Sequence, residues 1–317
     1  LHYLQRAGIT YKDKRIWDCQ FARFLLEAQR VFLNENSLAE ACKHYGTAPK
    51  SSYIEETYWS KGVDTDAIPE KEMLDYLTQD LVSTMEVYQA QKKLMDAASP
   101  QLRNLFTLHM QDLLVLQEME YNGMKFNTDK SLEEARKLEE RVAIIEATLR
   151  SRHPNTPINF NSGDDVSAYL YGGTIVVERR EPVGAYKTGS KIGEIRFKKV
   201  VDNFNLARLV APLKGSELKK ADKEKGTGPW STSEDVLKQL PQKPEITLLL
   251  ERAKHMKLLD YLTGFPSLIT EMNWPEGQLH GQFNQVVART GRLSSSNPNL
   301  QNCPDPVLAL METKYEC

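Results

Sequence analysis

Cysteine is scarce, with only Cys19, Cys42, Cys303 and Cys317 in 317 residues. None lies in a CxxC pair, which excludes a zinc ribbon or finger, and four are too few for a disulfide scaffold; reduced thiols are expected. No apolar run approaches the roughly 18 residues of a membrane helix. The opening Leu1-His2-Tyr3-Leu4-Gln5-Arg6 has neither a signal peptide's apolar centre nor an initiator methionine, so a cytoplasmic and processed or partial chain is expected. Net charge is also small, at −2, and by itself argues neither for nor against an anionic partner. The charge is unevenly placed, however. Residues 179 to 225 hold thirteen Lys or Arg against six Asp or Glu, a local excess that reads either as a lysine-rich solvated loop or as a footprint for a phosphate backbone.

What is present is ordinary globular material: 40% apolar and 26% charged residues, enough chain for two domains with their own cores. Asp18 and Ser37 stand where helix N-caps belong. Pro69 opens a long helix over about 69 to 97, with Leu74, Leu77, Leu81, Met85 and Tyr88 as its apolar stripe. Ala97-Ala98-Ser99-Pro100 interrupts the pattern and marks a domain boundary. Further helices are expected at about 101 to 121 and from Asn127, with Leu132, Ala135, Leu138, Val142, Ile145 and Leu149 forming the second one's stripe. Strands are expected at 174 to 177 and 192 to 201. Ser231 to Glu234 fits a capping box before a helix closed by Pro241, and another helix runs from about Pro244 to Tyr261.

Two constellations carry possible chemistry. Tyr76 and Asp80 lie four apart on the long helix and are therefore neighbours. A carboxylate on a divalent cation beside a tyrosine hydroxyl suits part of a two-metal phosphodiesterase site, but one carboxylate does not hold two metals, and YxxxD is also an ordinary helix face. The second constellation is Arg289-Thr290-Gly291-Arg292-Leu293-Ser294-Ser295-Ser296-Asn297-Pro298-Asn299-Leu300-Gln301-Asn302. Arg292 offers a rigid donor fork for minor-groove acceptors that every base pair presents. Asn299, Gln301 and Asn302 carry amides that donate and accept, as suits groove edges and sugars read without regard to sequence. A polar surface loop would account for the serines but not for the ordered Arg, Asn, Gln, Asn series.

Thr290 to Ser295 followed by Pro298 to Asn302 resembles the TGRLSSxxPNLQN signature of family-A DNA polymerases. Leu116 to Gly123 with Phe126-Asn127 is similar to the family's LxxMExxGxxxD lead-in to the thumb, with asparagine in place of the usual aspartate. Phe160-Asn161-Ser162, followed by an apolar helix, looks like its FNxxSxxQ element, Ser231 to Leu237 like its STSEEVL pattern, and His280 with Phe283-Asn284-Gln285 like the approach to the signature. Trp17-Asp18-Cys19-Gln20 and the Tyr76/Asp80 pair resemble the end of the 3'-5' proofreading exonuclease domain. Cys303 departs from the common isoleucine.

The resemblance implies an α+β, predominantly helical fold. Residues 1 to 98 would be the C-terminal part of a ribonuclease-H-like exonuclease domain and 99 to 317 a polymerase fragment, with a helical thumb over about 127 to 275 and an incomplete palm over about 276 to 317. It implies DNA-directed DNA synthesis with proofreading, two Mg2+ ions per site in the intact enzyme, deoxynucleoside triphosphates and primer-template DNA as partners, no membrane, and room for a processivity factor. Thr290, Arg292, Asn299, Gln301 and Asn302 would contact the primer-template. Asp80 would be an exonuclease metal ligand, with Tyr76 beside it. The sequence contains no DYSQIELR-like or HDE-like aspartate motif, and residues 1 to 98 hold no exonuclease DxE, so the expectation is an internal fragment inactive by itself. The alternatives are a non-catalytic DNA-binding module and a free-standing 3'-5' exonuclease with a C-terminal extension.

Overall fold

The computed structural model describes residues 1–11, 13–30, 35–185, 193–213 and 230–313. The loop expected between the strands and most of the basic stretch beyond residue 213, with Cys317, lie outside the described residues. The chain falls into two compact units, Leu1–Asn127 with Leu268–Cys317, and Thr128–Ser267.

The first unit starts with α1 (His2–Arg6), α2 (Cys19–Leu26), α3 (Leu38–Tyr45), α4 (Tyr53–Thr57), α5 (Glu70–Ala97) and α6 (Pro100–Asn122). Asp18 caps α2 by accepting the Phe21 N–H at 2.8 Å, and Ser37 caps α3 through Glu40 N–H at 3.2 Å. Ser99 caps α6, so the interruption read at 97 to 100 is a real break between helices. Trp17, Phe21, Phe24, Met95, Phe106 and Met110 form the core of α2, α5 and α6. Burial pushes the Cys19 thiol up to about 11, which leaves it protonated and chemically quiet at neutral pH. Cys19, Cys42 and Cys303 are all free thiols.

The helix over α5 falls where the apolar periodicity puts it, but the face does not. Leu74, Leu77, Leu81 and Met85 are exposed, Leu81 by 71%, while Tyr76, Ser83, Val87, Gln91 and Met95 are buried. The reason is tertiary. Gln91 donates to Cys19 O at 2.8 Å and accepts from Trp17 Nε1 at 3.1 Å, and Ser83 donates to Pro49 O at 3.3 Å. Satisfied in this way, polar residues line the inner face at little cost.

Strand β1 (Met124–Phe126) is the centre of a three-stranded antiparallel sheet, flanked by β4 (Gln278–Leu279) and β7 (Met311–Glu312). Phe126 and Leu279 are buried beneath it with Val307 of α11 (Asp305–Leu308), and Lys125 pairs with Glu312 across the strands at 3.0 Å. A hairpin of β5 (Gln282–Asn284) and β6 (Ser294–Ser296) completes the unit.

The second unit is built from α7 (Thr128–Arg150), α8 (Gly163–Tyr171), a long hairpin of β2 (Gly173–Ala185) and β3 (Ile195–Leu206), α9 (Glu234–Gln239) and most of α10 (Pro244–Glu271). Its core gathers Ile145, Leu149, Phe160, Tyr169, Leu237 and Ile246. Arg252 is buried there: it donates to Glu146 at 2.8 Å, to Phe160 O at 3.0 Å and to Asn161 Oδ1 at 2.6 Å. The Phe160-Asn161 element is thus an internal anchor for α10. Two local expectations change. The cap of α9 is Ser233, not Ser231, with no side-chain cap bond, and α10 runs past Tyr261 to Glu271 with Pro266 inside it. Helices dominate and strands are few, as an α+β chain of predominantly helical content requires.

Candidate nucleic-acid interface

The signature segment is organised by the β5–β6 hairpin. Gln282 pairs with Ser296, Phe283 with Ser295 and Asn284 with Ser294. Three-residue strands of this kind are too short to hold themselves, and the support comes from α6. Glu120 accepts the Phe283 N–H at 2.6 Å on one carboxylate oxygen and His2 Nε2 at 2.8 Å on the other. Its carbonyl accepts from His280 Nδ1, also at 2.8 Å. A charge-assisted bond to a backbone N–H is among the stronger ones available, so Glu120 fixes the level of the hairpin.

Beyond β6 the chain is closed by Ser295. Its buried hydroxyl accepts the Leu300 N–H at 3.2 Å and donates to Pro298 O at 3.3 Å. Gly281 lies so close that a Cβ would meet Leu300 Cδ1 at 2.7 Å, which admits only glycine unless Leu300 moves. On the other side of the hairpin, Gly291 turns with φ of 72°, its N–H donating to Ala288 O at 2.9 Å.

These supports leave the sequence-designated side chains outward. Thr290, Arg292, Asn299, Gln301 and Asn302 are all exposed. Arg292 has no ion pair among the described residues. Asn299 accepts the Gln301 N–H at 3.1 Å on its side-chain oxygen, which directs its amide donors away from the backbone. Thr290 and Arg292 precede β6 and Asn299, Gln301 and Asn302 follow it, so they flank one short strand; Asn299 lies seven positions after Arg292, at most about 25 Å of chain. Beside β5 runs a groove of ≈ 910 Å³ whose wall includes Asn122, Gln278, Gln282, Asn284 and Trp274. Amides and an aromatic ring are groups that meet base edges and sugars.

Tyr76 and Asp80 sit differently. The Tyr76 ring is 9% exposed and packs with Ile54 and Ile68, with Trp59 edge-on at 5.9 Å. Lys50 lies over that ring at 5.7 Å and its Nζ is 3.9 Å from Asp80 Oδ2. The Tyr76 hydroxyl, and more weakly Asp80, hold the Lys50 ammonium above its ordinary pKa. Asp80 Oδ1 is buried without a hydrogen-bond partner. Among the described residues no group of three or more His, Cys, Asp or Glu is placed to hold a metal ion. One carboxylate beside an ammonium does not fit a divalent cation.

Sequence reasoning passed over Glu120, Ser295 and Lys50. Glu120 stood inside a quoted motif without a role, because no spacing rule links it to a backbone N–H 163 residues later. Ser295 was one serine among several, and no pattern marks Lys50.

Residues 205–315 match the family model described as DNA polymerase family A. DNA polymerase I of Streptococcus pneumoniae serotype 4 is 26% identical over 308 residues, 95% of this chain and 28% of the relative's length. The thermostable DNA polymerase I of Thermus thermophilus is 43% identical over 84 residues, 26% of this chain and 10% of its own length. The chain therefore spans little more than a quarter of these relatives at most. Among solved structures, the polymerase domain of Pol1 from M. smegmatis, in complex with DNA primer-template and dNTP, aligns with a TM-score of 0.57 at 17% identity, over 90% of this chain and 38% of that one. At that identity the likeness concerns the fold alone. The sequence relatives carry the likeness further: residues 205–315 match the model of DNA polymerase family A, and DNA polymerase I relatives align over most of the chain.

Proposed function

We propose that this chain is a DNA-holding part of a DNA-directed DNA polymerase, gripping the primer-template while the complete enzyme adds nucleotides. The observation that carries the reading is the braced β5–β6 hairpin, which holds Thr290, Arg292, Asn299, Gln301 and Asn302 outward on either side of one strand. Arg292 and the amides meet features common to all base pairs, so binding is independent of sequence. Deoxynucleoside triphosphates, divalent metal ions and any processivity factor act with the complete enzyme; among the described residues no group of three or more His, Cys, Asp or Glu is placed to hold a metal ion, and this chain is expected to be inactive by itself. No helix among the described residues is long and apolar enough to cross a membrane, and we place the enzyme in the cytoplasm.

Residues 1 to 98 are read as the end of the proofreading exonuclease domain, 99 to 317 as thumb and palm. Two features support the first part: the Tyr76/Asp80 spacing with its unpartnered Asp80 oxygen, and the exposed stripe Leu74, Leu77, Leu81 and Met85, a face suited to cover by further protein. In this reading Asp80 contributes to a metal site only together with carboxylates from elsewhere and with Lys50 displaced.

The experiment is an anisotropy titration of a labelled primer-template with the full chain. Weak binding is expected at about 50 mM salt, falling steeply as salt rises, and Arg292→Ala should lower the slope of log K against log salt by about 1 without changing folding. No affinity at low salt, or affinity indifferent to salt, overturns the reading.

A further inference from the structure

The β2–β3 ribbon is the largest feature that the signature does not explain. Its two strands pair from Gly173–Leu206 out to Pro182–Phe197, about 30 Å at some 3.3 Å per residue. Directly paired residues share a face. One face holds Ile175 with Phe204 and Val177 with Asp202, followed by Arg179 with Val200 and Glu181 with Lys198. At its base it packs into the unit's core. Farther out its charges neutralise each other: Arg179 bonds Asp202 at 2.7 Å and also contacts Glu181.

The opposite face is different in kind. It holds Thr174 with Asn205, Val176 with Asn203, Glu178 with Val201, Arg180 with Lys199 and Pro182 with Phe197, and every one of these residues is exposed. Val176, Phe197 and Val201 are 56%, 53% and 47% exposed. Towards its outer end two cations, Arg180 and Lys199, stand directly opposite each other, an arrangement that disfavours the isolated ribbon. Lys199 reaches Glu178 at 2.6 Å, but Arg180 has no ion pair among the described residues. Two adjacent cations flanked by exposed apolar side chains complement the wall of a duplex: phosphates for the cations, deoxyribose for the valines and Phe197.

We propose that this outer face of the ribbon is a second duplex contact, with Arg180 and Lys199 on phosphates and Val176, Phe197 and Val201 against the sugars. It rests on the reading of the chain as a DNA holder and adds to it a face and a set of residues outside the family signature. A ribbon of this length lies along roughly one helical turn, and a contact confined to phosphate and sugar adds affinity without sequence preference.

The test compares the two faces. The full chain is titrated with labelled duplex at several salt concentrations as wild type, as Arg180→Gln/Lys199→Gln, and as Lys198→Gln, the last removing a cation from the inner face. The double variant is expected to lower the magnitude of the salt slope by about 1.8, while Lys198→Gln keeps the wild-type slope. Thermal melting should not fall in either variant, since all three side chains are exposed. Wild-type binding with an unchanged slope in the double variant overturns the ribbon contact alone, leaving the hairpin grip intact. An equal loss in Lys198→Gln also overturns it, because the effect would then be general charge. Self-association abolished by Phe197→Ser, with no change in slope, makes the ribbon a protein-docking edge and overturns the proposal. Absence of wild-type binding removes the DNA-holding reading and the ribbon contact with it.

Discussion

The Tyr76/Asp80 pair on α5 and the segment from Thr290 to Asn302 both match nucleic-acid enzyme motifs, yet the fold treats them oppositely. Tyr76 is enclosed by Ile54, Ile68 and Trp59, and Asp80 faces Lys50. The C-terminal residues stand in solvent while buried or braced neighbours, Ser295 and Glu120, do the holding. A motif residue is poised for a ligand when other residues satisfy its backbone and leave its side chain outward. Where the side chain is itself part of the packing, its first contribution is to stability.

The contrast is broken most forcefully at Tyr76. Tyr76→Ala should destabilise the first unit by about 3 kcal/mol, as expected for a buried aromatic, and leave DNA affinity of the folded protein unchanged. Urea unfolding together with a binding titration measures both. A stable variant with lost DNA affinity would erase the distinction between the two sites. A smaller effect is expected at the brace. Glu120→Gln keeps the shape but weakens charge-assisted bonds to Phe283 N–H and His2, costing about 1.5 kcal/mol and speeding amide exchange at Gln282 to Asn284. Unchanged exchange there would mean that the hairpin holds itself.

Much of the fold is legible from local rules. The caps at Asp18 and Ser37, the break at Ser99-Pro100 and the helix of α5 all follow from backbone hydrogen-bonding needs within a few residues. The face of α5 is not legible in the same way. Counting apolar residues selects Leu74, Leu77, Leu81 and Met85, whereas the buried side contains Ser83 and Gln91, whose partners come from distant segments. Local spacing likewise does not find the β5–β6 pairing, because Ser294-Ser295-Ser296 has no strand-like alternation and depends on Glu120 for support. The outward residues of the hairpin stand in one contiguous signature and are easily read. The residues that position them are spread from His2 to Leu300 and become visible only in three dimensions.

The central claim, that the hairpin segment and not the α5 pair meets DNA, is tested most directly by amide hydrogen exchange across the full chain with and without primer-template at low salt. Slowed exchange at residues 289 to 302, with no change at 73 to 83, is the expected result. Slowing at 73 to 83, or none at 289 to 302 under conditions where the DNA is bound, would contradict it.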